Sequence, residues 1–216
     1  MPDLNFEVVG VEAPRYAAVP TLIFKLRIVN VVAQEQVHSV VLRCQIQINV
    51  TRRRYSPEEQ ARLLELFDVP KRWSETLRPM LWTHANIMVP QFSGSIDVDM
   101  PVACTYDFEV GGTKYFDALG EGEIPLTLLF SGTVFYKGET SNLQVAQISW
   151  SKEAVYRLPV ALWREMIEYY YPNSAWIRLH KDVFDQLYRY KATNSLPTWE
   201  QVIGRLLQGS GEEAHS

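Results

Sequence analysis

Apolar and polar positions alternate strictly from Ile96 to Val110. Ile96, Val98, Met100, Val102, Cys104, Tyr106, Phe108 and Val110 are apolar or aromatic, and Asp97, Asp99, Pro101, Ala103, Thr105, Asp107 and Glu109 lie between them. A period of two puts successive side chains on opposite faces. The segment therefore reads as one strand, or two broken at Pro101, with one face buried and the other in water. Residues 40–50 repeat the pattern, with Val40, Leu42, Cys44, Ile46, Ile48 and Val50 inward and Arg43, Gln45, Gln47 and Asn49 outward. Shorter alternations predict strands at 4–9 and 22–29. The polar Gln34-Glu35-Gln36 between 22–29 and 40–50 predicts a turn that joins those two as a hairpin. A strand is expected at 86–90, and a further hairpin joins 126–136 to 143–150 across Gly138-Glu139-Thr140-Ser141-Asn142.

Helical periodicity interrupts this pattern in a few places. Ser56-Pro57-Glu58-Glu59 reads as a capping box, with Ser56 as cap, Pro57 at the first helical position and Glu59 reaching back. The helix it opens stops before Pro70, and a second short helix is predicted at 73–77. Thr113 caps a turn over 114–119. After Trp150 the period changes. Pro159 opens a helix with Leu162, Trp163, Met166, Ile167 and Tyr170 on one face, and another carries Val183, Phe184, Leu187 and Tyr188. Thr198 caps a third, in which Val202, Ile203, Leu206 and Leu207 face inward. Short one-sided helices gain most of their stability from docking. The fold class is thus α+β: an antiparallel β-sandwich of about seven or eight strands with short inserted helices. A sandwich domain over 1–150 carries a helical region at 151–208 packed on it, and 209–216 is read as a disordered tail.

An apolar share of 47% fills a core, and a net charge of -4 gives no broad attraction to phosphate backbones or anionic lipid. Nucleic acid is therefore not an expected partner. The first seven residues lack the basic and apolar regions of a signal peptide, and no apolar run reaches the roughly 18 residues of a membrane span. A cytoplasmic protein is expected.

Cys44 and Cys104 both fall on inward faces with Trp73 and Trp82 between them in sequence, which superficially matches the immunoglobulin disulfide pattern. Tyr106 follows the second cysteine, however, where the immunoglobulin tyrosine precedes it. Free buried thiols are the expectation. His38, His84, His180 and His215 lack metal-ligand spacing, so neither metal nor cofactor is expected. Asn49-Val50-Thr51 matches a glycosylation sequon by accident. Arg52, Arg53 and Arg54 form the one concentrated basic patch. Either it contacts an acidic partner, or it is a solvated strand end with one arginine paired to Glu58 or Glu59. Asp97, Asp99, Asp107 and Glu109 read as a solvated acidic face. The aromatic C-terminal region, with Trp176, Tyr188 and Trp199, reads as core and protein-contact anchoring.

Several phrases are similar to an uncharacterised bacterial family, mainly actinobacterial. They are Arg43-Cys44-Gln45-Ile46-Gln47-Ile48 with Arg52-Arg53-Arg54-Tyr55-Ser56-Pro57, then Leu77-Arg78-Pro79-Met80-Leu81-Trp82-Thr83-His84. Residues 102–110 and 128–135 continue the likeness, which runs from about Phe6 to about Trp199. Members are encoded beside oxygen-tolerant uptake nickel–iron hydrogenases. The resemblance thus implies an accessory role in hydrogenase assembly or in the mature complex, and it supplies no catalytic residues. The expected function is a non-enzymatic binding protein, with hydrogenase subunits or a second copy as partner and Arg52, Arg53, Arg54, Trp176, Tyr188 and Trp199 as contacts. The alternative is a ligand-binding or hydrolytic sandwich whose site draws on dispersed residues such as His84, Asp107 and Arg54.

Overall fold

Where one face of an alternating segment is apolar, the chain forms strands that bury that face. A computed structural model describes residues 1–32, 35–107, 109–138 and 142–213. The strands are β1 (Leu4–Glu12), β2 (Thr21–Asn30), β3 (Val37–Ile48), β4 (Met80–Val89), β5 (Ser95–Ala103), β6 (Glu123–Lys137), β7 (Leu143–Gln147) and β8 (Glu153–Pro159). They form two antiparallel sheets. One has the order β1-β2-β5. The other runs β4-β3-β6, and both β7 and β8 pair with the far edge of β6. Leu22, Phe24, Leu26 and Ile28 from the first sheet and Val40, Leu42, Cys44, Ile46 and Ile48 from the second are all buried. Phe6 of β1 stacks on Phe130 of β6 across the core, with ring centroids 4.3 Å apart.

The expected hairpin between the second and third strands is not formed. β2 pairs instead with β1 and β5, while β3 pairs with β4 and β6. Alternation sets which face of a strand is buried but not its neighbour, and here charge helps choose the neighbour. Lys25 lies opposite Asp99, and Arg27 opposite Asp97, in the β2–β5 register. The Arg27 guanidinium donates two bonds of 2.8 Å to the Asp97 carboxylate. At the end of β2, buried Asn30 accepts from the Asp3 amide and donates to the Val32 carbonyl, which carries the chain out of the first sheet. Gln34 of the expected turn lies outside the described residues.

The long alternating stretch also ends early. β5 runs through Pro101 without a break, because it is an edge strand of its sheet, where a missing N–H is tolerated. It stops at Ala103. Thr105 Oγ1 then accepts the Asp107 amide, and Asp107 Oδ1 accepts the Glu109 amide. Such side-chain bonds to nearby backbone replace the ladder and turn the chain into α4 (Gly111–Ala118). Phe108 lies outside the described residues.

The capping box forms as the sequence predicts. Glu59 N–H donates to Ser56 Oγ, Ser56 N–H donates to the Glu59 carboxylate, and Pro57 opens α1 (Pro57–Arg62). α2 (Leu64–Phe67) and α3 (Trp73–Thr76) follow. The chain re-enters the second sheet at β8, past Trp150, with Ala154 and Leu158 buried. Pro159 then stands at the N-terminus of α5 (Val160–Tyr170), which buries Val160, Trp163, Met166 and Ile167. α4, α5 and Trp82 of β4 meet in an aromatic seam, with Phe116 lying 4.9 Å from Trp82 and 5.4 Å from Trp163.

Two compact units result, Met1–Trp176 and Ile177–Ser216. The second holds α6 (Lys181–Thr193) and α7 (Trp199–Glu213), which pack on each other. Thr198 Oγ1 accepts the Gln201 amide at the start of α7. That helix continues through 209–213, residues the sequence assigns to a tail; 214–216 lie outside the described residues. Glu139, Thr140 and Ser141 of the β6–β7 turn also lie outside them. Among the described residues no helix is long and apolar enough to cross a membrane.

Candidate functional site

The arginine run divides sharply at its middle residue. Arg52 and Arg54 are exposed, whereas the Arg53 side chain is only 9% exposed and faces Glu59, itself 7% exposed. Arg53 donates to Glu59 Oε1 at 2.6 Å, and to the carbonyls of Glu121 and Glu123. Glu59 also accepts the Gly120 amide at 2.8 Å. Burial alone would raise the Glu59 pKa, but amide donors from Gly120 and Ser56 and the Arg53 guanidinium outweigh it and hold the carboxyl below its ordinary value. The pair clamps the 120–123 turn onto α1, so the sequence expectation of an arginine paired with Glu58 or Glu59 is met at Arg53. Beside the clamp, Tyr55 donates to the Val50 carbonyl and accepts from the Tyr115 hydroxyl at 2.9 Å. A shallow recess over the clamp is lined by Arg54, Ser56, Glu58 and Glu121, which leave it one net negative charge.

A larger cleft of about 910 Å³ opens along α5, lined in part by Arg15, Tyr106, Asp117, Arg164, Glu168 and Tyr170. Tyr170 shapes one wall, since its hydroxyl accepts the Ala17 amide at 2.9 Å and lies within donating distance of the Pro14 carbonyl. Arg164 donates to the Leu119 carbonyl. Burial, with Asp117 and Glu168 nearby, pushes the Tyr106 phenol above its ordinary value. Tyr106 stacks parallel to Tyr171 at 6.0 Å, and Trp176 meets both rings edge-on. The sequence reading did not single out Arg15, Asp117 or Arg164. They come from three separate segments, and no spacing rule connects them.

In the helical unit Tyr188 and Trp199 converge. Trp199 lies 5.4 Å from Phe184 and 6.4 Å from Tyr188, with the Lys191 ammonium 5.7 Å above its ring. Trp199 is half-buried in this cluster, while Val183, Phe184, Tyr188, Ile203 and Leu206 are exposed. Trp176 belongs to the other unit, where it bridges to Asp107.

His84 is exposed on β4, Asp107 sits in the loop after β5, and Arg54 lines the recess near α1, so the dispersed trio shares no pocket. Cys44 and Cys104 are free and buried, and burial pushes both thiols up to about 12, far from a nucleophilic thiolate. Asp97 and Asp99 are paired with Arg27 and Lys25, so that part of the acidic face is a cross-strand ion ladder. Among the described residues no group of three His, Cys, Asp or Glu is arranged to hold a metal ion. Asn49 of the sequon is buried and donates its amide to Thr127 Oγ1.

A model described as a family of unknown function (DUF6084) matches residues 1–215. No match is found among curated proteins. Among solved structures, the chain is similar to the CARDB domain of a Pyrococcus furiosus protein determined with di-metal ions. The identity is 11%, 73% of this chain and 87% of that one are covered, and the TM-score is 0.28. A protein assigned to the late embryogenesis abundant (LEA) class, determined in solution, is 12% identical. It covers 74% of this chain and 73% of its own, with a TM-score of 0.31.

Proposed function

The chain belongs to the DUF6084 family, and from that premise we propose that it is a non-catalytic binding protein whose C-terminal helical pair docks a protein partner. The observation that carries this reading is the apolar surface of that pair. Val183, Phe184 and Tyr188 on α6, with Ile203 and Leu206 on α7, remain exposed beside the aromatic cluster that joins the helices. Large apolar side chains clustered in water mark interaction surfaces, and tyrosine is prominent among interface anchors. The partner class we propose is a component or assembly intermediate of an uptake nickel–iron hydrogenase. It rests on the resemblance carried by Arg43-Cys44-Gln45-Ile46-Gln47-Ile48 and the phrases that follow it.

Purification of the tagged full chain from a host with such a hydrogenase tests both parts. Wild type is expected to retain hydrogenase subunits, and Tyr188→Ala or Ile203→Ala to lower retention about tenfold or more, with unchanged melting curves. No hydrogenase subunit on the wild type removes the partner; full retention by both variants removes the surface. The α5 cleft favours a second reading, ligand binding, in which Arg15→Ala and Arg164→Ala would abolish a ligand-induced rise in melting temperature that Tyr188→Ala leaves intact.

A further inference from the structure

β7 is an edge strand without the charge or proline that ordinarily blunts such edges. At the other sheet edges a strand of the opposite sheet lies close by, β8 near β1 and β5 near β4. β7 pairs with β6 and with no other strand among the described residues. The hydrogen bonds flanking it fix which of its backbone groups are free. Gly138 N–H donates to the Asn142 carbonyl, and Ile148 N–H to the Gly132 carbonyl. In an antiparallel ladder bonding residues alternate, so Gln144 and Ala146 turn their backbone groups toward β6. Leu143, Val145 and Gln147 turn theirs outward to the open edge.

The side chains of those same residues lie on the outer face of the sheet. Leu143 is 59% exposed and Val145 57% exposed, although both are strong apolar residues. Val145 stands opposite half-buried Phe135 in the register, so the apolar surface continues inward across the sheet. Native edges are usually blunted by lysine, proline, a bulge or an inward charge. Residues 142–151 contain no Lys, Arg, Asp, Glu or Pro, and β7 pairs in unbroken register. Trp150, just beyond the strand, is 92% exposed.

We infer that β7 is a dimerisation edge, covered by β7 of a second copy of this chain in an antiparallel, two-fold pairing centred on Val145. The occupant follows from charge. A two-fold antiparallel pairing sets each residue against its own copy or its mirror position, so any charge near the axis would meet its like. The edge has none. In this register each Val145 exchanges both backbone bonds with its counterpart, and Leu143 does so with Gln147 of the second copy. That meets all the outward groups of the strand and joins the two five-stranded sheets into one. This inference does not depend on the helical surface proposed above.

The test is sedimentation or light scattering over a concentration series, using the full chain. Wild type is expected to approach twice 24.9 kDa as concentration rises. Val145→Lys and Val145→Glu each place like charges across the axis and are expected to weaken association about fivefold or more. An equimolar mixture of the two variants is expected to restore the dimer, because opposite charges then face each other. Val145 is exposed, so circular dichroism should show both variants folded. A wild type that stays monomeric at the highest soluble concentration overturns the inference. So does a Val145→Lys variant that dimerises like wild type, or a mixture that fails to recover.

Discussion

Gly132 shows how much a single position can demand. It lies in β6 opposite Leu42 with φ of 142°, a backbone conformation that residues with a side chain rarely adopt. A Cβ there would sit 2.1 Å from the Val41 carbonyl oxygen, which belongs to backbone and cannot swing aside. The close approach lets β3 and β6 stay paired over almost their whole lengths. Gly132→Ala is expected to cost about 3 kcal/mol, read as a lower urea midpoint with the slope unchanged. The sequence offers no sign of this, since a glycine inside an alternating run is equally compatible with a turn or a bulge.

At the scale of elements, the Arg53–Glu59 clamp joins α1 to the 120–123 turn, and through it to the start of β6. The Glu59 carboxyl is held below its ordinary 4.5 when folded. A depressed folded value means the unfolded chain binds the proton more readily. The contribution is therefore complete above about 4.5 and is lost as pH falls through the folded value. Glu59→Gln leaves the Arg53 charge buried without its partner and is expected to cost about 3 kcal/mol at neutral pH. The variant should also lose part of the wild-type fall in melting temperature between neutral pH and acid, which a pH series of thermal melts would reveal; an unchanged acid slope would rule the clamp out as its source. An ion pair between one of the three arginines and Glu58 or Glu59 was legible in advance, because Ser56-Pro57-Glu58-Glu59 announces a helix start beside the run; the choice of Arg53 and its hold on the 120–123 turn were not. Strand positions were legible for the same kind of reason, one buried face at period two. Partners were not: β2 and β3 present equally good alternating faces, and only the Lys25–Asp99 and Arg27–Asp97 pairs, set far apart in sequence, reveal where β2 belongs. The end of β5 at Ala103 was hidden by chance alternation, which side-chain bonds from Thr105 and Asp107 override. β8 went unseen because Glu153, Val155 and Arg157 face water and only Ala154, Tyr156 and Leu158 mark its inner side. The α5 cleft was hidden for a further reason, since Arg15, Asp117 and Arg164 meet only after folding.

For the whole molecule, the continuous core draws on residues from Leu4 to Ile167 and, among the described residues, on none beyond Trp176. The fragment 1–176 therefore holds a complete core of its own and is expected to melt cooperatively, close to the full chain, by circular dichroism; a fragment without a sharp transition would show that α6 and α7 complete the core. The pairing within that unit also governs when it can form during synthesis. Arg27 and Asp97 are 70 positions apart, Val37 faces Tyr136 and Ile48 faces Leu126. β6 lies between β3 on one side and β7 and β8 on the other, and the last of these ends at Pro159. When the ribosome has added the first two-thirds of the chain, β6 has only just been made, so β3 waits with its apolar face uncovered. Ladders between such distant segments close slowly. The nascent chain is therefore expected to engage chaperones that hold extended apolar segments until β8 emerges.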